Sequence, residues 1–201
     1  DGGGNELWDI FAVPSDGGDI VNLTNSADVA EEAPRWSPDG RTIALNVKTK
    51  AGTQSDLALL DWASRKIRQL THERSPDRSW SSVAWSADGR TLYANRTEAT
   101  ESDGDVFAID VATGKSTNLT PHQDNVLHVA SALSPDGKSL LISSNAKGGY
   151  QNVALLDIAT GRLTWVTDTR WEANAGDFSP SGRSLTYTLN ADGRSDVYEV
   201  D

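Results

Sequence analysis

Short stretches in which apolar and polar residues alternate run along the whole chain, and clusters of Gly, Pro, Asp, Asn and Ser separate them. Two of these stretches, 42–46 and 105–109, are Thr-Ile-Ala-Leu-Asn and Asp-Val-Phe-Ala-Ile, with β-branched or aromatic side chains in each. This pattern predicts β-strands. No stretch of useful length has the period of about 3.6 residues that is typical of an amphipathic helix. The sequence therefore predicts an all-β protein.

A turn phrase in which an aromatic residue or Leu precedes Ser-Pro-Asp-Gly or a close variant occurs four times. Its serines are 49, 48 and 45 residues apart. Pro fixes φ, Asp bonds its own backbone and Gly accepts a positive φ, so the phrase suits a tight turn between two strands. The four copies are Trp36–Gly40, Trp85–Gly89, Leu133–Gly137 and Phe178–Gly182. A repeat of this length, read as four antiparallel strands, predicts the blade of a β-propeller.

Two further phrases complete the repeat. One begins with Asp or Asn and continues apolar, as in Asp56–Asp61, and the other ends in Leu-Thr or Val-Thr, as in Gln69–Thr71. We predict a single, partial propeller segment over residues 1–201, with about four blades. The predicted blades are approximately 5–24 (partial), 33–71, 82–120, 130–167 and 175–201 (partial). The aromatic residue or Leu that ends each first strand is expected to pack between neighbouring blades.

The ends of the chain carry incomplete blades in this prediction. The N-terminal piece supplies two strands, Leu7 to Val13 and Ile20 to Thr24, and the C-terminal piece supplies three. Bare sheet edges and faces, such as those of Val197 and Val200, are unfavourable in water. We therefore expect an open arc of blades that is covered by missing chain or by a second copy of this chain.

Composition narrows the classes of partner. The 201 residues carry a net charge of −11 with no cysteine, which disfavours nucleic-acid binding and excludes a disulfide framework or a thiolate zinc site. No apolar run approaches the length of a membrane span. The lack of cysteine is compatible with the cytoplasm or with a bacterial envelope compartment. We predict no cofactor and no metal site.

The order of phrases between Asp9 and Ala44, with Asp-Ile-Phe-x-Val-Pro, Leu-Thr and Pro-Arg-Trp-Ser-Pro-Asp-Gly-Arg-x-Ile-Ala, resembles the TolB-type propeller repeat. That repeat also builds the N-terminal propeller of prolyl oligopeptidase-family serine peptidases, of the dipeptidyl and acylaminoacyl peptidase type. The stretch from Trp171 to Tyr198 is similar to a late blade of the bacterial enzymes. In that family the propeller restricts access to short peptides, and the hydrolase domain follows it in sequence.

The resemblance implies two functions from different classes. The first is the non-catalytic propeller of a prolyl oligopeptidase-like serine peptidase, which gates the access of short peptides to a hydrolase domain. The second is a TolB-like binding or scaffolding propeller of the bacterial envelope, with a protein partner. The resemblance thereby favours a periplasmic or secreted location over a cytoplasmic one. The chain contains no Gly-x-Ser-x-Gly nucleophile motif, so we predict no catalytic residues in it and place any catalysis in the parent protein.

The connections between the fourth strand of one blade and the first strand of the next are the longest, and long loops on a rigid scaffold often bind ligands. We predict them at Asn25 to Pro34, His72 to Trp80, Pro121 to His128 and Asp168 to Asn174. The candidate binding residues on them are Glu31, Glu32, Arg74, Arg78, Trp80, His122, Arg170, Trp171 and Glu172. Packing at blade edges is the alternative for the two Trp residues, and a solvated loop is the alternative for the two adjacent glutamates.

Overall fold

The computed structural model describes residues 7–201 and confirms an all-β fold. Residues 5 and 6 of the predicted first blade lie outside this range. No helix occurs within residues 7–201. The strands are β1 (Phe11–Ala12), β2 (Val21–Asn22), β3 (Val29–Trp36), β4 (Thr42–Thr49), β5 (Asp56–Asp61), β6 (Ile67–Gln69), β7 (Arg78–Trp85), β8 (Thr91–Glu98), β9 (Gly104–Asp110), β10 (Ser116–Asn118), β11 (His128–Leu133), β12 (Ser139–Ser144), β13 (Asn152–Asp157), β14 (Leu163–Trp165), β15 (Glu172–Phe178), β16 (Leu185–Ala191) and β17 (Arg194–Val200).

The strands form antiparallel sheets of the kind that makes propeller blades. Strands β3–β6, β7–β10 and β11–β14 each form a four-stranded sheet in chain order, β15–β17 form a three-stranded sheet, and β1 pairs with β2. The chain divides into two compact units, Asp1–Ser82 and Val83–Asp201, which we call the N-terminal and C-terminal units. Strand β7 crosses the boundary between them.

The turn phrase forms the predicted tight turn between the first and second strands of the four larger sheets. In its first copy the Ser37 hydroxyl donates to Asp39 Oδ1 at 2.6 Å and accepts from the Thr42 amide at 3.0 Å. Gly40 has a φ of 67°, where a side chain would strain the backbone. Asp39 Oδ1 also accepts the Arg41 amide at 3.1 Å. The hydrogen bonds from Ser37 and Arg41 lower the pKa of the Asp39 carboxyl. The sequence phrase is therefore a self-contained hydrogen-bonded turn.

The first strand of each blade is longer than the sequence indicated. It runs six to eight residues and begins at Val29, Arg78, His128 or Glu172, within the predicted loops. The prediction of a solvated loop for Glu31 is therefore wrong, since Glu31 lies in β3 with 2% of its surface exposed. The loops are shorter than predicted because their last residues join the sheets.

Apolar faces of the sheets form the core. In the N-terminal unit Ile10 and Leu23 pack with the β4 residues Ile43 and Leu45. In the C-terminal unit Leu133 and Phe178, which end β11 and β15, each pack against a buried cluster, as expected for this position. Trp36 departs from that expectation.

Trp36 is 51% exposed, and its ring lies 5.0 Å from the ring of Trp62. Val197 is 74% exposed and Val200 is 37% exposed on the last strand, β17. These exposed apolar side chains agree with the exposure predicted for the bare edge.

Candidate functional site

A hydrogen-bonded clasp ties the end of each fourth strand to the start of the third strand. In the sheet β3–β6, the Thr71 hydroxyl donates to Asp56 Oδ1 at 2.7 Å and accepts from the Leu57 amide at 2.9 Å. The same Asp56 oxygen accepts the amide of Glu73 at 2.8 Å, which fixes the first turn of the following loop. The Leu-Thr phrase is therefore explained by this clasp and by the burial of Leu70.

The clasp recurs in the other blades with one change of partner. Its Asp or Asn and Thr members are Asp9 with Thr24, Asp105 with Thr120 and Asn152 with Thr167. Ser26 and Thr169 donate their amides to the clasp in the same way as Glu73. At Asp105 the group nearby is a side chain: His122 Nε2 lies 3.4 Å from Asp105 Oδ1.

One position of the first strand lies against the clasp of the preceding blade in each case. It stands six residues before the turn serine and is occupied by Glu31, Trp80, His128 and Ala173. All four side chains are buried. In three blades the backbone amide here donates to the residue before the clasp Asp or Asn: Glu31 to Trp8, Trp80 to Ser55 and Ala173 to Gln151. We call it the clasp-facing position.

Glu31 brings a buried carboxylate to this position. The Ser26 hydroxyl donates to Glu31 Oε1 at 2.5 Å. Glu31 Oε2 has no hydrogen-bond partner among residues 7–201 and is out of contact with solvent. Burial raises the pKa of the Glu31 carboxyl, and the nearby charge of Asp9 raises it further, while the neighbouring hydroxyls of Ser26 and Thr24 oppose the rise.

Glu31 lines a cavity of about 360 Å³ in the N-terminal unit. The lining combines carboxylates, polar groups and apolar side chains, namely Ser26, Val29, Glu31, Val47, Thr49, Gly52, Gln54, Asp56, Ala58, Ile67, Gln69 and Glu73. None of these described lining residues is basic. The cavity therefore concentrates negative charge next to an apolar wall, which is an arrangement that attracts cations.

The C-terminal unit has a pair of imidazoles at the equivalent place. The rings of His122 and His128 are 5.4 Å apart, and Asp103 and Asp105 lie beside His122. His122 Nδ1 is 2.7 Å from the carbonyl oxygen of Asp124. Within the described chain His122 Nε2 and His128 Nδ1 make no hydrogen bond, so His122 Nε2 lies close to Asp105 Oδ1 without being hydrogen-bonded to it.

Burial sets the charge of His128, which is 5% exposed. Burial and the neighbouring His122 lower the pKa of His128 to about 4, against the attraction of Asp105 and Asp103. His128 is therefore neutral near pH 7. It also lines a larger cavity of about 600 Å³, next to Thr120 and Pro121. Within residues 7–201, no group of three or more His, Asp or Glu side chains is arranged to hold a metal ion.

The remaining candidate residues differ in their exposure. Glu32, Arg74 and Arg170 are exposed, and Arg78 is half-buried at the start of β7. Trp80 is buried at the clasp-facing position, which agrees with the packing alternative. The sequence reasoning missed His128 and the clasp aspartates. The constant offset from the turn serine was the signal that could have found the clasp-facing position.

The last candidate loop, Asp168 to Asn174, is held by contacts of its own side chains. The guanidinium carbon of Arg170 is 5.8 Å from the centre of the Trp171 ring, which is half-buried. Glu172 Oε2 accepts the amide of Gln151 at 3.1 Å. These contacts help to hold the loop in place.

No helix within the described residues is long and apolar enough to span a membrane. A search of curated proteins found no match.

Solved structures resemble this chain at low identity. TolB from Acinetobacter baumannii matches with a TM-score of 0.71 and 18% identity over 95% of this chain and 45% of its own. A putative dipeptidyl aminopeptidase IV from Bacteroides ovatus ATCC 8483 matches with a TM-score of 0.69 and 14% identity over 94% of this chain and 38% of its own.

Puromycin hydrolase matches with a TM-score of 0.71 and 19% identity over 93% of this chain and 30% of its own. The chain thus spans less than half the length of each of these three structures. At such identities the likeness establishes a shared fold. A family model described as the TolB beta propeller domain matches residues 17–201. Because that match includes the repeated four-stranded blades and their clasps, this chain belongs to the TolB β-propeller domain family.

Proposed function

We propose that this chain is the non-catalytic propeller section of a prolyl oligopeptidase-like serine peptidase that is periplasmic or secreted. In this role it restricts the entry of short peptides to a hydrolase domain outside residues 1–201. The loops between the fourth strand of one blade and the first strand of the next contact the entering peptide. Arg74 and Arg170 on these loops are exposed for such contacts.

The observation that carries this proposal is the unequal coverage of the hydrolase structures. The chain aligns over 93% of its own length with puromycin hydrolase but covers only 30% of that protein. The dipeptidyl aminopeptidase shows the same inequality, at 94% and 38%. A propeller that accounts for under half of such a protein leaves ample length for a separate catalytic domain. The resemblance of the Trp171–Tyr198 stretch to a late peptidase blade supports the same assignment.

A second candidate, a TolB-like scaffolding propeller with a protein partner, is favoured by a specific observation. The family model that matches residues 17–201 is described by the TolB propeller. The structure of TolB from Acinetobacter baumannii also aligns with 95% of this chain. Both candidates assign binding, not catalysis, to the chain itself, and they differ in what is joined to it.

Fluorophosphonate labelling of the native protein tests the proposal. An antibody raised against residues 1–201 recovers the protein from its source, a fluorophosphonate probe is added, and mass spectrometry locates the modified serine. We expect one labelled serine, outside residues 1–201. Recovery of a full-length protein that takes up no probe would contradict the peptidase assignment and favour the scaffold. A labelled serine within residues 1–201 would contradict the non-catalytic role.

Peptide length supplies the second measurement. If the propeller restricts entry, the native enzyme cleaves short peptides and spares a long unfolded protein that contains the same cleavage sequence. Loosening the propeller, for example by breaking a clasp, is expected to admit longer substrates. Equal cleavage of short and long substrates by the unaltered enzyme would contradict the gating role, while the labelling result would stand.

A further inference from the structure

We propose that the open edge of β17 binds an extended peptide segment with the pattern basic-x-x-x-aliphatic-Thr. Asp196 and Val197 are the residues that recognise its threonine. The segment belongs to the parent protein outside residues 1–201. The inference rests on the proposed function only in taking this chain as a section of a longer protein.

The first argument is an edge that lacks its strand. A fourth strand pairs with the third in the sheets β3–β6, β7–β10 and β11–β14, whereas the sheet β15–β17 has three strands. Within residues 7–201 the outer edge of β17 therefore has no strand partner. Such an edge presents unpaired amide and carbonyl groups, which an added strand satisfies.

The second argument is that β17 repeats the register of the occupied clasps. In the three complete blades, the residue after the clasp Asp or Asn pairs with the residue nine positions after the turn serine. These pairs are Leu57 with Asn46, Val106 with Asn95 and Val153 with Ser143. Val197 pairs in the same way with Thr188, nine positions after Ser179. Asp196 and Val197 are therefore the clasp residues of the last blade.

The four occupied clasps show what this place accepts. The threonine hydroxyl donates to the clasp Asp or Asn at 2.7–3.1 Å. It accepts the amide of the following residue at 2.8–3.1 Å. The carbonyl of that residue accepts the amide of the aliphatic residue before the threonine at 2.7–2.8 Å. At β17 the corresponding groups are the Asp196 carboxylate and the amide and carbonyl of Val197.

Asp196 has room for the additional donor. Its Oδ1 is bound by Arg194 at 3.0 and 3.2 Å, in an exposed ion pair of the kind that contributes little to stability. A carboxylate oxygen accepts more than one hydrogen bond. Asp56 Oδ1 does so from Thr71 and from the Glu73 amide. A threonine hydroxyl can therefore join Asp196 without displacing Arg194.

The fourth strands of this chain supply the rest of the pattern. Three of them run from a basic residue to threonine with one spacing, namely Lys66–Thr71, Lys115–Thr120 and Arg162–Thr167. The carbonyl of each basic residue accepts the amide of the aspartate that ends the third strand, at 2.9 Å. Asp201 stands at the equivalent position, five residues after Asp196. Together with Glu199 these carboxylates make the edge negative, which complements a basic residue.

The length of the fourth strands indicates that the segment is tethered. Strands β6, β10 and β14 are each three residues long. So short a strand forms few hydrogen bonds to offset the translational and rotational freedom that a free peptide loses. A tether raises the effective concentration without any new contact. This favours a segment of the parent polypeptide over a separate protein or a second copy of this chain.

Extension of the 201-residue chain tests the site. A copy of residues 158–169, which contains the turn and fourth strand of the preceding blade, is joined after Asp201. In a second version the copy carries Thr167→Val, so the two extensions differ at one side chain and leave residues 1–201 unaltered. Nuclear magnetic resonance follows hydrogen exchange of the Val197 amide. We expect exchange at least about tenfold slower with the threonine version than with the valine version, because the hydroxyl is the acceptor of that amide.

Variants of Asp196 in the extended chain are the matched controls. Asp196→Ala is expected to lose the protection of the Val197 amide. Asp196→Asn is expected to keep it, since Asn152 accepts from Thr167 at 2.9 Å in the preceding blade. Both variants remove the charge that pairs with Arg194, so that loss is common to the two. If Asp196→Ala does not fold, the two extensions still decide the matter.

Equal exchange in the threonine and valine versions would overturn the site, as would full protection in Asp196→Ala. The native protein tests the source of the segment. In the protein recovered by the antibody, deuterium exchange over residues 194–201 is expected to be slower than in the unextended chain. Equal exchange there, or saturable binding of the free 158–169 peptide at micromolar concentration, would overturn the assignment to a tethered segment of the parent protein.

The fluorophosphonate result is separate from these outcomes. A native protein that takes up no probe but protects residues 194–201 contradicts the peptidase assignment and supports the strand site. A labelled protein in which these residues exchange as in the unextended chain supports the peptidase assignment and overturns the proposed source of the strand.

Discussion

Replacing Thr71 by Val is the sharpest test of the clasp, because Val keeps the branched shape and removes only the hydroxyl. Thr71 is 6% exposed. Its hydroxyl donates a hydrogen bond to Asp56 and accepts one from the Leu57 amide. The variant therefore leaves a buried amide without an acceptor and a carboxylate with one donor fewer. We expect the free energy of unfolding to fall.

The magnitude follows from those two losses. A hydrogen bond to a charged group contributes about 1.5–3 kcal/mol, and a buried amide left unpaired costs about 1–3 kcal/mol. The Glu73 amide and Gln69 continue to bind Asp56, so part of the first loss is recovered. A decrease of about 2–4 kcal/mol is expected, which is a large share of the ~5–15 kcal/mol typical of a folded domain.

Urea unfolding followed by circular dichroism measures this decrease. Thr71→Ser keeps the hydroxyl and is expected to lose under about 1 kcal/mol, because only one buried methyl is removed. Thr164→Val makes the same chemical change at an exposed position of β14 and is expected to be near neutral. If Thr71→Val were no more destabilising than Thr164→Val, the clasp would not contribute to stability and the explanation of the Leu-Thr phrase would fail.

Two more predictions concern single buried contacts. His128 has a pKa of about 4 in the folded chain against 6.5 ordinarily, so the unfolded chain binds more protons between these values. The free energy of unfolding is then expected to fall by on the order of 3 kcal/mol as pH is lowered through that window, and urea midpoints of His128→Phe should lack that fall. Gly104→Ala places a Cβ 2.8 Å from Thr97 Cγ2 and 2.9 Å from Leu127 Cδ1. The melting temperature of this variant should therefore fall more than that of Gly137→Ala. A Cβ at Gly137 meets open space, although the backbone there has a φ of 73°.

The turns and the blade type could be predicted from the sequence because the interactions that form them are local. Ser37, Asp39 and Gly40 fold their own turn within six residues. The variant turn at Phe178–Gly182 has Ser181 in place of Asp and still closes, with the hydroxyls of Ser179 and Ser181 3.3 Å apart. A repeated local phrase therefore reports the fold even where one member has changed.

The start of each first strand could not be predicted in the same way. Glu31 reads as a charged loop residue beside Glu32, yet its amide donates to the carbonyl of Trp8, more than twenty residues earlier. Burial at this position is set by the preceding strand pair and its clasp, so the fixed distance to the turn serine indicates it and the residue type does not. Trp36 and Trp85 likewise share one phrase but differ in exposure, at 51% and 9%.

The clasp-facing position shows how a repeated scaffold separates stability from binding. The four clasps use nearly the same atoms, so their role is to hold the loops and the first strands in place. The side chain beside them differs, with Trp80 and Ala173 apolar and Glu31 and His128 polar. The two polar members both line cavities and both keep an atom without a hydrogen-bond partner within the described chain. Because an apolar side chain fills the position without such a penalty, Glu31 and His128 carry an energetic cost that Trp80 and Ala173 avoid.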